Sequence, residues 1–346
     1  MAAGVLMQAV PSPSVAVAKG TAPELVIFDN DFCEITPVLP LLSAPNVRVI
    51  GLTTVTGDCW SEEATLATLS DLEVIGRTEI PVASGAMYPL VNTPDRMAAA
   101  EPMRGALAWK GAWNAADESG RYHPDDPHAY GLPAPLPRQT KAVAQSAAAF
   151  LVRMVREHPH QVTIYAAGPM TNIALAIRLD PEIPKLAKAL VFDGGHIRAF
   201  DAEGESDADF NFAFDPEAAH VVLSAPWSGI TSVGDLADAI VVTPDLLARI
   251  DAQKTVLSAY ALRRLTPGMP LWDAVGAAII ADPSLVAAAR DLAMDVDIAE
   301  GLFYGRARVW SAGRTPPRTA RRVRVIEAVD RERLERQYVA SLAPGR

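Results

Sequence analysis

Acidic side chains follow one short apolar run after another in this chain, and their spacing is the first sign of chemistry. Asp29 and Asp31 come after Leu25–Phe28, and Gly57 and Asp58 follow Val47–Thr53. Gly85 follows Pro81–Ala83, and Gly168-Pro169 comes after Val162–Ala166. Asp193, Gly194, Gly195 and His196 follow Leu190–Phe192, and Asp235 follows Ile230–Val233. Runs this short, apolar on both faces and rich in Val and Ile, suit interior strands of a parallel sheet. In such a sheet, ligands collect outside the carboxyl ends of the strands. Several carboxylates are therefore expected on one rim, where a hard, oxygen-seeking cation such as Ca²⁺ would be held. The competing reading is that each acid only caps the helix that follows it.

The elements that must position these residues are legible between the runs. Ser61 precedes Glu62 and Glu63, an N-cap followed by acids in the first turn, where the helix dipole favours them. Asp215-Pro216 and Thr243-Pro244 each place a capping residue before a proline at the first helical position. Thr171 is placed to cap the helix through Ile177. This alternation predicts an α/β class: a doubly wound, mostly parallel open sheet of Rossmann-like type. The segment Asn92–Pro137 holds Trp109, Trp113 and many prolines and glycines without a clear strand, and reads as an insertion or lid. Ala199–Phe214 reads as an acidic loop.

At 346 residues, half of them apolar, the chain can bury a sizeable core. Its net charge of −10 argues against a nucleic-acid partner. Arginines between Arg314 and Arg336 interleave with Asp330, Glu332 and Glu335, which reads as a solvated face. No apolar run is long enough to span a bilayer, so no membrane partner is expected. Residues 1–23 read as a tail or the remnant of an export signal. They end their uncharged part in Val15-Ala16-Val17-Ala18 before Lys19, although Pro11 and Pro13 interrupt the apolar stretch and no basic start precedes it. Export to the periplasm or outside is the expectation, with the cytoplasm as the alternative.

Taken together, the motifs resemble the inosine/uridine-preferring nucleoside hydrolase family. Leu25–Asp31, then Val49–Gly57, Glu62–Ile75, Gly76–Val82 and Gly85 follow the order of that family. Gly168–Ala176, Gly194-Gly195, Asp209–Asn211, Asp215–Ala219 and Trp272-Asp273 continue it. Each piece alone is weak; their order is what carries the resemblance. It implies a single nucleoside-hydrolase-like domain over residues 24–346, with residues 92–137 inserted, and dimers or tetramers as the expected assembly.

It also implies cleavage of the N-glycosidic bond of nucleosides, or of related N-ribosides, by water. By resemblance, Asp31 would be metal ligand and general base. Asp273 and the Ala167 carbonyl would be further Ca²⁺ ligands, and Asp209 and Asn211 would hydrogen-bond the sugar. Asn30 lies between the two aspartates of the first motif and joins the substrate-binding candidates, as does Asp58, which stands where the family has Asn.

The family's first motif, Asp-Thr-Asp-Pro-Gly-x-Asp-Asp, is here Asp29-Asn30-Asp31-Phe32-Cys33-Glu34-Ile35-Thr36. Both trailing aspartates are gone. Thr36 offers the metal only a neutral oxygen, and Ile35 cannot grip a ribose hydroxyl. Glu34 either compensates or is a solvent-facing loop acid. Weaker metal binding than the family norm follows, because affinity tracks ligand charge.

Trp272 replaces the family's leaving-group His; it can stack on a heteroaromatic base but cannot give it a proton. His196 and Asp193 are then the candidates for that proton, the alternative for His196 being a structural role after a glycine turn. Cys33 and Cys59 follow strands expected to be neighbours; they would pair if the chain is exported and otherwise be two free buried thiols. Two other functions remain open at this point: a glycosidase with a changed sugar, and a binder that has lost catalysis.

Overall fold

The computed structural model describes residues 22–115, 123–128, 136–197, 208–311 and 313–343. The six apolar runs become strands β1 (Glu24–Asn30), β2 (Val47–Thr54), β3 (Val82–Ala83), β4 (Val162–Ala166), β5 (Ala189–Phe192) and β6 (Ile230–Ser232). Three further strands follow, β7 (Val286–Val296), β8 (Ala307–Trp310) and β9 (Arg321–Val329), and the sheet order is β3-β2-β1-β4-β5-β6-β9-β7-β8. The first seven in that order are parallel; β7 and β8 run antiparallel to their neighbours. This is the expected α/β open sheet, with an antiparallel edge that the sequence did not announce.

Six of the seven residues of β1 are buried, because helices cover both faces of the sheet. Val26, Phe28 and Tyr165 belong to the core on one face, and Ile27, Ile164 and Phe150 to the core on the other. Phe28 and Tyr165 pack edge to face at 5.1 Å. The pairing of β1 with β2 slips by one residue after Val26. The slip sets Asp29 opposite Thr53 rather than Leu52, which gives the first site carboxylate a hydroxyl partner.

Several local expectations change. Asp215 and Thr243 cap as expected, accepting from Ala218 N at 3.0 Å and Leu246 N at 3.1 Å. Ser61 and Thr171, expected as caps, are instead the first helical residues of their helices. The Thr171 hydroxyl donates to Asp215 Oδ2 at 2.7 Å, a tertiary contact that outweighs the local one. The Arg314–Arg336 stretch is not simply a solvated face: Val323, Val325 and Ile326 are buried in β9 while Arg322 and Arg324 point outward.

Within the Ala199–Phe214 segment, the part that is described, from Ala208 on, holds a short helix, Phe210–Phe214. The described part of residues 92–137 also contains a helix, Pro94–Arg104, capped by Thr93. Trp113 stacks on Phe214 at 4.1 Å, and Ala112 N donates to Gly57 O at 2.8 Å, so this segment packs against the rim beyond β2. Of the expected tail, residues 1–23, all but the last two lie outside the described residues. Among the described residues no helix is long and apolar enough to cross a membrane.

Candidate active site

The site grows from the end of β1. Asp29 Oδ1 accepts from Thr53 Oγ1 at 2.5 Å and Asn172 Nδ2 at 2.8 Å. Asn172 also donates to Thr54 O and accepts from Ala86 N, both at 2.8 Å. Asp29 is thus a clamp between β1, β2 and the helix after β4. Burial pushes its carboxyl up to about 6, against the pull of both hydrogen bonds.

Asn30, expected at the substrate, spends its side-chain amide on its own loop. It donates to Phe32 O at 2.9 Å and Glu34 O at 3.2 Å and is buried.

Asp31 is buried, with Oδ2 accepting from Asp58 N at 3.2 Å and Oδ1 without a hydrogen-bond partner among the described residues. Its carboxylate lies so close to two backbone turns that only glycine fits them. A Cβ on Gly57 would come within 2.1 Å of Asp31 Oδ2, and one on Gly168 within 2.5 Å of its Cγ. Burial first, then the charge of Asp58, holds Asp31 well above the usual carboxylate range. The Asp58 side chain itself accepts from Trp109 Nε1.

Across the rim, Asp273 opens the helix Asp273–Ala281, and Tyr165 OH on β4 anchors its main-chain oxygen at 2.8 Å. Asp273 Oδ1 is also buried without a hydrogen-bond partner among the described residues. The carboxylates of Asp273 and Asp193, at the end of β5, lie within hydrogen-bonding reach of each other. Burial and then Asp193, Asp31 and Asp58 raise Asp273, while burial and then Asp209 and Asp238 raise Asp193. Trp272 holds φ at 38°, a left-handed conformation worth about 1–3 kcal/mol of strain for such a side chain. Its Nε1 donates to Asp238 Oδ1 at 3.1 Å, and its ring lies 6.1 Å from that of Phe32.

His196 sits at the other side of this group, with Nε2 2.7 Å from Asp238 Oδ2 and 3.6 Å from Asp209 Oδ2. Burial disfavours the imidazolium. The hydrogen bond to Asp238 and the charges of Asp209, Asp238 and Asp235 outweigh it, so His196 is pushed up to about 9 and is protonated at neutral pH. Asp209 caps the helix after it through Phe212 N at 2.9 Å. Asn211 Nδ2 donates to Asp193 O at 3.1 Å and Ala167 O at 3.4 Å, and its Oδ1 is buried without a hydrogen-bond partner among the described residues.

Two of these positions escaped sequence reasoning. Asp238 had one available signal, since it stands one helical turn after Asp235. Asp235 fastens the same loop by accepting from Ile197 N at 3.2 Å. Trp109 had none.

The loop after Asp31 turns away from the rim. Glu34 is not a solvent-facing acid: it pairs with Arg264 Nε at 2.9 Å and accepts from the Thr36 hydroxyl. Arg264 also pairs with Asp71 at 3.2 Å, and Tyr260 OH, which donates to Asp71, accepts from Ile35 N at 3.0 Å. Ile35 is buried in the core.

Cys33 and Cys59 are bridged rather than free, with Cα atoms 5.9 Å apart. The bridge ties the Asp31 loop to the turn after β2. Closing a loop of 26 residues restricts the unfolded chain by about 3–4 kcal/mol. Reduction is therefore expected to lower stability by about that amount. Urea unfolding with and without reductant measures it, and alkylation of both cysteines without prior reduction would contradict the bridge.

A rim of buried carboxylates around unpartnered oxygens is a site made for a cation or for a transition state that develops positive charge. A family model described as inosine-uridine preferring nucleoside hydrolase matches residues 26–336. The chain is 36% identical over 209 residues to "Probable uridine nucleosidase 2" of Oryza sativa subsp. japonica, across 58% of this chain and 54% of that protein, so it spans about half the length of that relative. To the inosine-uridine preferring nucleoside hydrolase of Crithidia fasciculata it is 27% identical over 299 residues, 82% of this chain and 86% of that one. A solved plant nucleoside hydrolase shares the fold with a TM-score of 0.74 at 24% identity, covering 93% of this chain and 99% of its own.

The chain belongs to the inosine-uridine preferring nucleoside hydrolase family. It is a hydrolase of N-glycosyl compounds that cleaves the N-glycosidic bond of nucleosides.

The family is metal-dependent, and the residues here fit a cation. Oδ1 of Asp31 and Oδ1 of Asp273 are buried oxygens without a hydrogen-bond partner among the described residues, and both can serve as metal ligands. Among the described residues, the trio of acid, His or Cys ligand atoms that lies within 4.8 Å of one another is Cys33, Cys59 and Glu63, and the bridge removes both sulfurs from ligation. Among the described residues, no three ligand atoms of the rim carboxylates lie that close to one another.

Proposed function

We propose that Asp31 is the general base of this hydrolase, that Asp31, Asp273 and the Ala167 carbonyl hold a Ca²⁺ ion, and that His196 protonates the departing base. One observation carries the reading: among the described residues Asp31 Oδ1 is buried without a donor, and the carboxylate is backed by glycines that leave it room at the rim. When bound, the divalent cation would lower the pKa of a water and orient it.

Asp31 takes a proton from the attacking water, whose oxygen bonds to the anomeric carbon as the C–N bond breaks. The neighbouring carboxylates stabilise the positive charge that develops on the sugar. The electrons of the broken bond go to the nucleobase nitrogen, which takes a proton from the His196 imidazolium, whose Nε2–H is held by Asp238. Asp238 orients that imidazole from 2.7 Å and also holds the Trp272 indole, on whose face a base can stack. Asp209 and Asn211 stand between His196 and the rim as the sugar-binding residues.

The test is product formation: uridine or inosine is expected to yield free ribose and free base. The core position of Ile35 favours a second reading, a sugar other than ribose. Faster release from arabinosyl or deoxyribosyl nucleosides than from ribosyl ones would support it. The bridge between Cys33 and Cys59 supports a location in an oxidising compartment, as expected of an exported chain.

A further inference from the structure

The insertion reaches the rim through one side chain. The turn after β2 is pinned by its main chain on two sides. Cys59, bridged to Cys33, donates from its N–H to Asp31 O at 3.0 Å, and Gly57 O accepts from Ala112 N at 2.8 Å. Ala112 lies in a turn held by its own bonds. Asn114 Nδ2 donates to Gly111 O at 2.9 Å, Lys110 N donates to Asn114 Oδ1 at 3.3 Å, and Trp113 stacks on Phe214. Gly111 has φ at 56°, and a Cβ there would come within 2.1 Å of Gly57 O, so the close approach of the two turns requires glycine.

The direction of the half-buried Asp58 side chain is then set by Trp109, two residues before Gly111, whose Nε1–H donates to Asp58 Oδ1. An indole is a donor only, and an N–H given to a carboxylate is a charge-assisted bond that orients the acceptor. Trp109 is 39% exposed, outside the buried cluster of Trp60, Trp113 and Phe214, so its ring contributes little to the core. Asp58 N meanwhile donates to Asp31 Oδ2 at 3.2 Å, which places the oriented carboxylate beside the proposed base.

We propose that Trp109 is a positioning residue for substrate binding: its indole fixes the Asp58 carboxylate as the acceptor for a sugar hydroxyl, so that the insertion completes the sugar side of the pocket. The inference rests on the reading of the rim as the sugar site. A carboxylate oriented in advance does not have to be ordered when substrate binds.

The test is a double-mutant cycle on the full chain: wild type, Trp109→Phe, Asp58→Ala and the double variant, with kcat and KM on uridine and inosine and thermal unfolding of each. Phe keeps a ring at an exposed position and removes the N–H, so Trp109→Phe is expected to melt with the wild type. Its KM is expected to rise about fivefold, the cost of ordering one side chain, with kcat within about twofold. Asp58→Ala is expected to raise KM at least as much, and adding Trp109→Phe to it should raise KM no further, because the indole then has no carboxylate to hold. A role in packing alone would survive Asp58→Ala, so losses that multiply would overturn the proposal even for a less stable variant. An unchanged KM for Trp109→Phe, or a fall in kcat alone, would overturn it too. An unchanged KM for Asp58→Ala would overturn it together with the sugar role of Asp58. Wild type that binds uridine without releasing base would contradict the hydrolase reading alone, since the same cycle in calorimetric Kd for uridine still decides the role of Trp109.

Discussion

Replacing Asp31 by Asn is expected to lower kcat for nucleoside hydrolysis by about 10³-fold, within the 10²–10⁴ range that a positioned general base contributes. Asn fills the same space between Gly57 and Gly168 but cannot take the proton from water. The same change is expected to stabilise the metal-free fold at neutral pH. The carboxyl of Asp31 is held well above its ordinary value by burial and by Asp58. For an acid raised in this way, stability is lost as pH rises from the unfolded pKa through the folded one, and a neutral Asn does not incur that loss. Activity and stability thus move in opposite directions. Steady-state rates at saturating nucleoside and a urea midpoint on the same preparations check both, and a variant of unchanged kcat would remove Asp31 from the mechanism.

Replacing His196 by Gln is expected to cost about 10²-fold or more in kcat on nucleosides whose base leaves poorly without a proton. On a riboside with an acidic phenol as leaving group, which departs without protonation, the loss should be a few-fold. For the wild type, kcat/KM is expected to fall as pH rises through about 9, where His196 loses its proton, and this limb should vanish in the variant. The sign for stability follows from the same raised value. The protonated His196 stabilises the fold fully below its unfolded pKa near 6.5, and that stabilisation is lost as pH rises through about 9. Equal losses on both substrates would make His196 a positioning residue for the loop and not the acid.

The central strands were legible because they are short apolar runs, most of them ending close to a Gly, Asp or Asn, and a parallel sheet brings those ends to one rim. That logic assembled Asp31, Asp58, Asp193 and His196, and the order of motifs added Asp209, Asn211 and Asp273. The C-terminal strands were not legible for equally physical reasons. Val286–Val296 is rich in alanine and exposed along Ala287–Asp291 at the antiparallel end of the sheet, and β9 alternates arginines with its buried valines. Side-chain direction was out of reach where the partner is remote. Nothing near Glu34 announces Arg264, and nothing near Asn30 announces Thr68, which its amide reaches besides Phe32 and Glu34 of its own loop. The loss of two acids after Asp31 was plain in the sequence; the contact between Asp193 and Asp273 at the same rim needed the fold.

The most direct measurement of the central claim is hydrolysis of uridine and inosine in ¹⁸O-labelled water, with the products resolved by mass. Attack of an Asp31-activated water on the anomeric carbon predicts free base without label and free sugar carrying one ¹⁸O at its first carbon, formed without any need for phosphate. Products that form only when phosphate is added, a label that appears in the base, or no release from any nucleoside would contradict it.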